Sequence, residues 1–149
     1  REVRKIKDDL RQQFGYALEE DYAYLKSEKD KVFVVNKDFG KVDTSKLIID
    51  RVGLYFAEIK PNQVRLSKEG TQLLVQEAIK NKKELKNCIE LTNEEVLEYF
   101  QGLDLKKDLG EKNYLVILKY GHDVLGCAQY KDGTILNFLT KIHRGEIII

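Results

Sequence analysis

The chain has 149 residues, 42% of them hydrophobic and 34% charged, a composition typical of globular domains with a heavily charged surface. Lys and Arg number 26 against 25 Asp and Glu, so the net charge of +1 excludes a strong overall electrostatic field. No apolar run reaches the length of a membrane span and no signal-peptide pattern is visible, so we expect a cytoplasmic protein. Cys88 and Cys127 lie in apolar contexts, which predicts buried, reduced thiols.

The first half of the chain alternates helical and strand patterns. Apolar residues spaced by three and four predict an amphipathic helix over 2–14, ended by Gly15. Gly53 inside an apolar run indicates a bulge or a close approach of two backbones. Ser67 is predicted to cap a helix over 68–80, and Asp43 a short helix or turn. The predicted strands are 22–26, 31–36, 52–59 and 64–66.

The segment 80–87, KNKKELKN, is the most basic stretch of the chain and a candidate boundary between two halves. A charge run of this kind is more often a solvated linker. The alternative is that it forms part of a rim facing nucleic acid.

The second half predicts a small closed β-barrel with one helix at its mouth. Thr92 and Glu95 form a capping-box pattern for a helix over 93–101, and Gly102 follows as its C′ residue. The continuously apolar segment 114–120 is predicted to be a central strand. Strands are also predicted over 124–130 and 134–139, joined by an Asp132-Gly133 turn, and Ile147–Ile149 is expected to close the barrel.

At these residues the chain resembles a known family. Segment 86–149 is similar to PUA domains, which are RNA-binding barrels, and more specifically to the PUA-like tail of Sun-family RNA cytosine methyltransferases. The similarity is carried by the helix ending EYFQG, the strands YLVILKYGHDVLGCAQY and the closing RGEIII. The matching residues are Gly102, Leu125-Gly126, Asn137 and Arg144. The sequence departs from the family pattern at Ala128, where a second glycine is usual, and at Leu136, where lysine is usual.

The segment RVGLYFAEIKPNQVRLSKEGTQLL resembles the pre-PUA region of small archaeal and eukaryotic ribosome-biogenesis proteins. Together the two resemblances imply an α+β protein. An N-terminal mixed α/β pre-PUA half, residues 1–82, would be packed against a C-terminal PUA-like β-barrel, residues 83–149.

Catalytic patterns are missing from the sequence. Cys88, His122, Cys127 and His143 contain no pair at metal-ligand spacing, so we expect no zinc site. The acidic cluster at 19–21 lies in a loop, and the one at 94–95 lies at a helix start, where carboxylates stabilise the helix dipole. Acid–base catalysis would need buried carboxylates, so a structural role is favoured for both clusters. There is no glycine-rich phosphate loop and no nucleophile motif. We therefore expect a protein that is not an enzyme and needs no cofactor or metal.

RNA-contacting residues are predicted on two grounds. Phosphate contact needs cations on a common surface, and the candidates are Arg65, Lys80, Lys82, Lys83, Lys86, Lys141, His143 and Arg144. The PUA resemblance implies that Gly102, Leu103 and the Arg144-Gly145 approach to the last strand form the RNA face. Tyr99, Tyr120 and Tyr130 offer rings for base stacking, although burial preferences favour core positions for them.

The sequence thus predicts a module that binds structured rRNA or tRNA. A second interpretation, favoured by the near-neutral charge, is an adaptor that docks on an RNA methyltransferase or a ribosome-assembly protein. An enzyme with an unfamiliar site is the third, and only the acidic clusters speak for it.

Overall fold

A computed structural model describes residues 2–36, 53–61 and 63–138. The described helices are α1 (Glu2–Phe14), α2 (Lys68–Lys80) and α3 (Asn93–Phe100). The described strands are β1 (Tyr22–Lys26), β2 (Lys31–Asn36), β3 (Leu54–Lys60), β4 (Gln63–Leu66), β5 (Cys88–Glu90), β6 (Leu105–Lys106), β7 (Tyr114–Tyr120), β8 (Asp123–Lys131) and β9 (Thr134–Leu136). The α+β class is confirmed. The turn predicted at Asp43 and the terminal isoleucine strand lie outside the described residues.

The chain divides into two compact units, Arg1–Lys86 (unit 1) and Asn87–Ile149 (unit 2). The sequence predicts a boundary after residue 82. In the structure the lysine-rich run belongs to unit 1 as far as Lys86, whose N–H donates a hydrogen bond to the Phe14 carbonyl oxygen at 2.8 Å.

Unit 1 contains a four-stranded antiparallel sheet in the order β1-β2-β3-β4. The predicted strands 22–26 and 31–36 are confirmed and pair as a hairpin, and α1 is confirmed with Ile6, Leu10 and Phe14 buried. The Gln13 side chain bonds both the Val64 N–H, at 2.7 Å, and the Val64 carbonyl, at 2.9 Å. Gln13 thereby covers backbone groups of the edge strand β4 that would otherwise be open to another chain.

Helix α2 begins against strand β3 at very short range. The Ser67 side chain accepts a hydrogen bond from the Gly70 N–H at 2.8 Å, as predicted for its N-cap. A Cβ atom at Gly70 would lie 2.0 Å from the Phe56 carbonyl oxygen, so only glycine fits there. Gly53 also marks a close approach, since its Cβ would meet Val35 Cγ1 at 2.8 Å and the Val34 carbonyl at 3.2 Å.

Unit 2 contains a five-stranded sheet in the order β5-β7-β8-β9-β6, curled into a half-barrel. Strand β7 lies between β5 and β8, which explains its four consecutive buried residues and confirms it as an interior strand. The short β5, which pairs in parallel with β7, was not predicted. Three residues are too few to show a period, and a parallel partner is not joined by a recognisable turn.

The core of unit 2 is closed by aromatic and aliphatic side chains from α3, β7 and β8. Tyr99 and Tyr130 are both buried in it, together with Val116 and Leu118. The predicted Asp132-Gly133 turn joins β8 to β9. Type I and type I′ were both open from the sequence, and the φ angles of 49° and 81° fit type I′. Both cysteines are free thiols, with Cys127 buried and Cys88 half-buried.

Candidate nucleic-acid interface

The turn that follows α3 in unit 2 has a defined hydrogen-bonded geometry. Thr92 and Glu95 form the predicted capping box at the start of the helix. At its end, Gly102 has φ 88°, its N–H bonds the Tyr99 carbonyl at 3.0 Å, and the Leu103 N–H bonds the Glu98 carbonyl at 3.1 Å. This is the Schellman arrangement, which requires a left-handed residue at the position of Gly102.

Asn137, just after β9, holds the same turn from the side of the sheet. Its amide nitrogen donates to the carbonyl oxygens of Tyr99, at 2.7 Å, and Leu103, at 2.9 Å. Its backbone N–H donates to the Asp104 carboxylate at 2.8 Å. The turn is thus tied to both the helix and the sheet, while the Leu103 residue stays 49% exposed. The resemblance singled out Asn137, but its hydrogen bonds to the α3 turn could not be predicted from the sequence.

Gly126 and Ala128, the two positions on β8 that the family resemblance singled out, both lie within the packing of unit 2. Gly126 has φ +146°, and a Cβ atom there would lie 3.6 Å from the Tyr99 hydroxyl. Ala128, which replaces the usual second glycine, is fully buried in the core beside Val116, its partner on β7. The methyl group of Ala128 therefore fills core space.

The surface beside the turn is acidic. A shallow open groove is lined by Glu95, Glu98, Asp104, Leu105 and Lys106. Partial burial acts to raise the pKa of Glu95, but hydrogen bonds from Thr92 and Lys107 outweigh burial and lower it. The Lys107 ammonium lies 3.2 Å from the Glu95 carboxylate, so this acid is ionised and paired.

The predicted cations of unit 1 lie on two separate elements. Lys80 ends α2, and Lys82, Lys83 and Lys86 follow it on the turn that leads back to the end of α1; all four are exposed. Arg65 lies on β4, where its guanidinium is 3.7 Å from the Glu58 carboxylate. Lys141, His143, Arg144 and Gly145 lie outside the described residues, so the RNA contacts assigned to them remain predictions.

The tyrosines divide between core and surface. Tyr99 and Tyr130 are buried, as burial preferences favoured, and the Tyr130 hydroxyl bonds the Leu109 N–H at 2.9 Å and the Gly110 carbonyl at 2.8 Å. Tyr120 is 37% exposed at the end of β7. Of these three rings, only Tyr120 is open to solvent.

Charge is distributed unevenly between the units. Unit 1 has 19 Lys and Arg against 15 Asp and Glu, a net charge of +4. Unit 2 has 7 against 10, a net charge of −3. The near-neutral total therefore conceals a basic unit joined to an acidic one.

One buried carboxylate, Glu77 of α2, was not singled out from the sequence. Its oxygens accept hydrogen bonds from the Tyr16 hydroxyl and the Glu19 N–H, both at 2.6 Å, and from the Glu20 N–H at 3.1 Å. Three donors in this geometry tie a loop to the helix, and they leave little of the carboxylate for chemistry. Among the described residues, no three His, Cys, Asp or Glu side chains gather as metal ligands would.

Residues 86–144 match the family model of the PUA domain of the methyltransferase RsmF. Unit 2 is therefore a PUA-like domain. A comparison with curated proteins gives no match. The matched span begins at the end of unit 1 and includes the α3 turn, Gly126 and Asn137, whose geometry is described above. In the part of the chain that the structure describes, no helix has both the length and the apolar character to cross a membrane.

Proposed function

We propose that this chain is a non-catalytic RNA-binding protein that contacts structured rRNA or tRNA during RNA modification or ribosome biogenesis. The observation that carries the proposal is the match of residues 86–144 to a PUA domain, a module class that suggests RNA as its partner. The pre-PUA character of unit 1 belongs to the same proposal.

The α3 turn supports a contact that depends on shape. Gly102 has no side chain, and the exposed Leu103 is held firmly by Asn137, so a nucleotide can approach the backbone closely. The acids of the neighbouring groove, Glu98 and Asp104, repel phosphate but can accept hydrogen bonds from ribose hydroxyls and base amino groups. In this proposal the phosphate contacts come from Lys141, His143 and Arg144.

Catalysis has no part in the proposal. Glu77 and Glu95, the carboxylates with the most developed hydrogen-bond environments among the described residues, are both engaged in holding the fold. The protein is proposed to need no cofactor, and to work in the cytoplasm.

The charge of unit 2 favours a second candidate, a protein adaptor. A net charge of −3 is unusual for a dedicated RNA binder, and Leu97 and Leu103 are both exposed on or beside α3. In this alternative, unit 2 docks on an RNA methyltransferase or a ribosome-assembly protein.

The test of the main proposal is the affinity of the whole chain for tRNA and for rRNA fragments across a salt series. The double charge reversal Lys141→Glu with Arg144→Glu should weaken RNA binding about tenfold or more. It should also reduce the slope of the logarithm of the binding constant against the logarithm of the salt concentration, by an amount that corresponds to about two phosphate contacts. Lys112→Glu, an exposed change in another loop of unit 2, is the matched control and should change binding little.

Two results would contradict the proposal: no binding to either RNA at low salt, or binding that the double reversal leaves unchanged. The adaptor alternative predicts instead that a protein partner is retained in a pull-down after nuclease treatment, and that Leu103→Glu releases it.

A further inference from the structure

The sheet of unit 1 turns a set of aromatic and basic side chains to one face. Residues opposite each other in an antiparallel pair share a face, and the register pairs Phe33 with Tyr55. The same face continues through Lys31, opposite Glu58, and through Arg65, which is opposite Glu58 on the other side. The face therefore crosses three neighbouring strands, β2, β3 and β4.

Around Phe33 and Tyr55, this face is the more exposed side of the sheet among the described residues. Val32, Val34 and Val64 point the other way and are fully buried, whereas Phe33 and Tyr55 are only half-buried. Helix α1 lies on the buried side, where the Lys7 ammonium is 5.9 Å from the centre of the Tyr24 ring. Phe33 and Tyr55 are thus large apolar rings that remain partly open to solvent.

The two rings form a continuous aromatic surface. Their centroids are 5.5 Å apart and their planes are inclined by 42°. The Lys31 ammonium lies 5.4 Å from the centre of the Tyr55 ring, close enough for a cation–π contact. A flat ligand that stacks on Tyr55 would displace the Lys31 ammonium from the ring. The displaced ammonium would stay close to the ligand and contact an anionic group on it.

Three cations lie beside the rings. Lys60 Nζ and Arg65 Nη1 lie 3.4 Å and 3.7 Å from the same Glu58 oxygen. Lys31, over the Tyr55 ring, is the third cation on this face. Unit 1 as a whole, at +4, adds to their potential.

We propose that this face, which we call the aromatic face (Lys31, Phe33, Tyr55, Glu58, Lys60 and Arg65), binds unpaired nucleotides of RNA. Bases stack on Phe33 and Tyr55, and Lys31, Lys60 and Arg65 contact the phosphates. Only unstacked bases present a free ring face, so single strands, loops and bulges are the ligand, and a duplex is not. The choice of RNA rests on the proposed function, while the site itself rests on the geometry of unit 1.

The probe is a fluorescein-labelled oligouridine of about ten nucleotides, titrated with the full chain by anisotropy at low salt. Tyr55→Leu and Phe33→Leu keep apolar volume but remove a ring, and each should weaken binding about tenfold. Tyr55→Phe keeps the ring and should bind within about twofold of the original chain.

An aromatic pair also stabilises a sheet, so urea unfolding of each variant shows whether it is folded under the binding conditions. Lys31→Glu with Lys60→Glu gives a variant that leaves both rings in place. It should weaken binding and reduce its salt dependence. Photocrosslinking of a 4-thiouridine oligonucleotide, mapped by mass spectrometry, should place adducts on peptides that contain Phe33 or Tyr55.

The proposal for the aromatic face and the proposal for the PUA-like unit can be contradicted separately. If Lys141→Glu with Arg144→Glu leaves structured-RNA binding unchanged while Tyr55→Leu abolishes oligouridine binding, the proposed function of unit 2 fails and the aromatic face stands. Oligouridine binding that neither leucine variant alters would overturn the aromatic face, and so would crosslinks confined to unit 2. A face that captures a protein and shows no oligonucleotide binding would overturn it as well.

Discussion

The two units of this chain present opposite surfaces. Unit 1 has a net charge of +4 and turns Phe33 and Tyr55 outwards, whereas unit 2 has a net charge of −3 and keeps Tyr99 and Tyr130 in its core. The unit that matches the PUA family model is therefore the acidic one, and the basic charge and the half-buried aromatic pair lie in the other. In the two proposals made above, unit 1 would supply electrostatic attraction and stacking, and unit 2 would supply a shaped turn.

The buried tyrosines of the two units also differ in their hydrogen-bond partners. Each unit buries a tyrosine whose hydroxyl makes hydrogen bonds, but Tyr16 of unit 1 donates to the Glu77 carboxylate, whereas Tyr130 of unit 2 bonds only backbone groups of Leu109 and Gly110. Hydrogen bonds to a charged group are stronger than those between neutral groups. If the units are independent, a substitution in one should leave the stability of the other unchanged.

The largest expected effect comes from Gly70→Ala. The new methyl group would lie 2.0 Å from the Phe56 carbonyl oxygen, so α2 must move off β3. We expect unit 1 to lose about 3 kcal/mol of its free energy of unfolding, or more. Hydrogen exchange read by mass spectrometry should show lost protection in unit 1 and retained protection in unit 2.

The exposed Gln76 of the same helix provides the control, and Gln76→Ala should cost less than about 0.5 kcal/mol. Equal loss of protection in both units of Gly70→Ala would mean that they unfold as one cooperative structure.

Tyr16→Phe removes a donor to Glu77 and should cost about 2 kcal/mol. Burial, together with the hydrogen bond to Glu77, raises the pKa of Tyr16 to about 12 from its ordinary value of 10.0. Because the folded-state pKa is the higher one, this stabilisation is complete below pH 10.0 and is lost as the pH rises through about 12. Urea unfolding over this range should show a smaller alkaline loss in the variant, and an identical loss would contradict the assignment.

Tyr130→Phe leaves the partly buried N–H of Leu109 and the carbonyl of Gly110 without their shared partner. We expect a loss of about 1.5 kcal/mol from the free energy of unfolding of unit 2. Tyr120→Phe is the matched control at an exposed ring, and should change the same quantity by less than about 0.5 kcal/mol. If the two variants are equally stable, the Tyr130 hydroxyl does not hold the 109–110 loop.

The smallest effect is expected for Glu95→Gln, which can keep the capping box but loses the ionic partner of Lys107. The cost at neutral pH should be about 0.5 kcal/mol. The folded-state pKa of Glu95 is lowered below its ordinary 4.5, so the stabilisation is present above that pH and is lost as the pH falls through the folded value. Thermal unfolding in acid should therefore bring the variant and the original chain together.

Much of the local structure could be predicted from particular residues. The capping residues Ser67 and Thr92, the glycines at 15 and 102 and the Asp132-Gly133 turn act over a few neighbouring positions, so their effect is written in the sequence itself. The candidate site was less predictable. Gly102 ends α3 as its C′ residue, as predicted, but the acids beside this turn come from α3 and from the segment at β6 and meet only in the fold.

The sequence by itself determined the elements of this protein, because helix periods, caps and turns depend on short-range chemistry. Only the tertiary structure decided which side chains face the same way. Strand register set Phe33 beside Tyr55 and Arg65 beside Glu58, and it placed β5 in parallel against β7. Folding also brought Asn137 to the end of a helix that begins at Asn93, and Glu77 to three donors at residues 16–20. These pairings depend on contacts between residues far apart in the chain, and no local pattern encodes them.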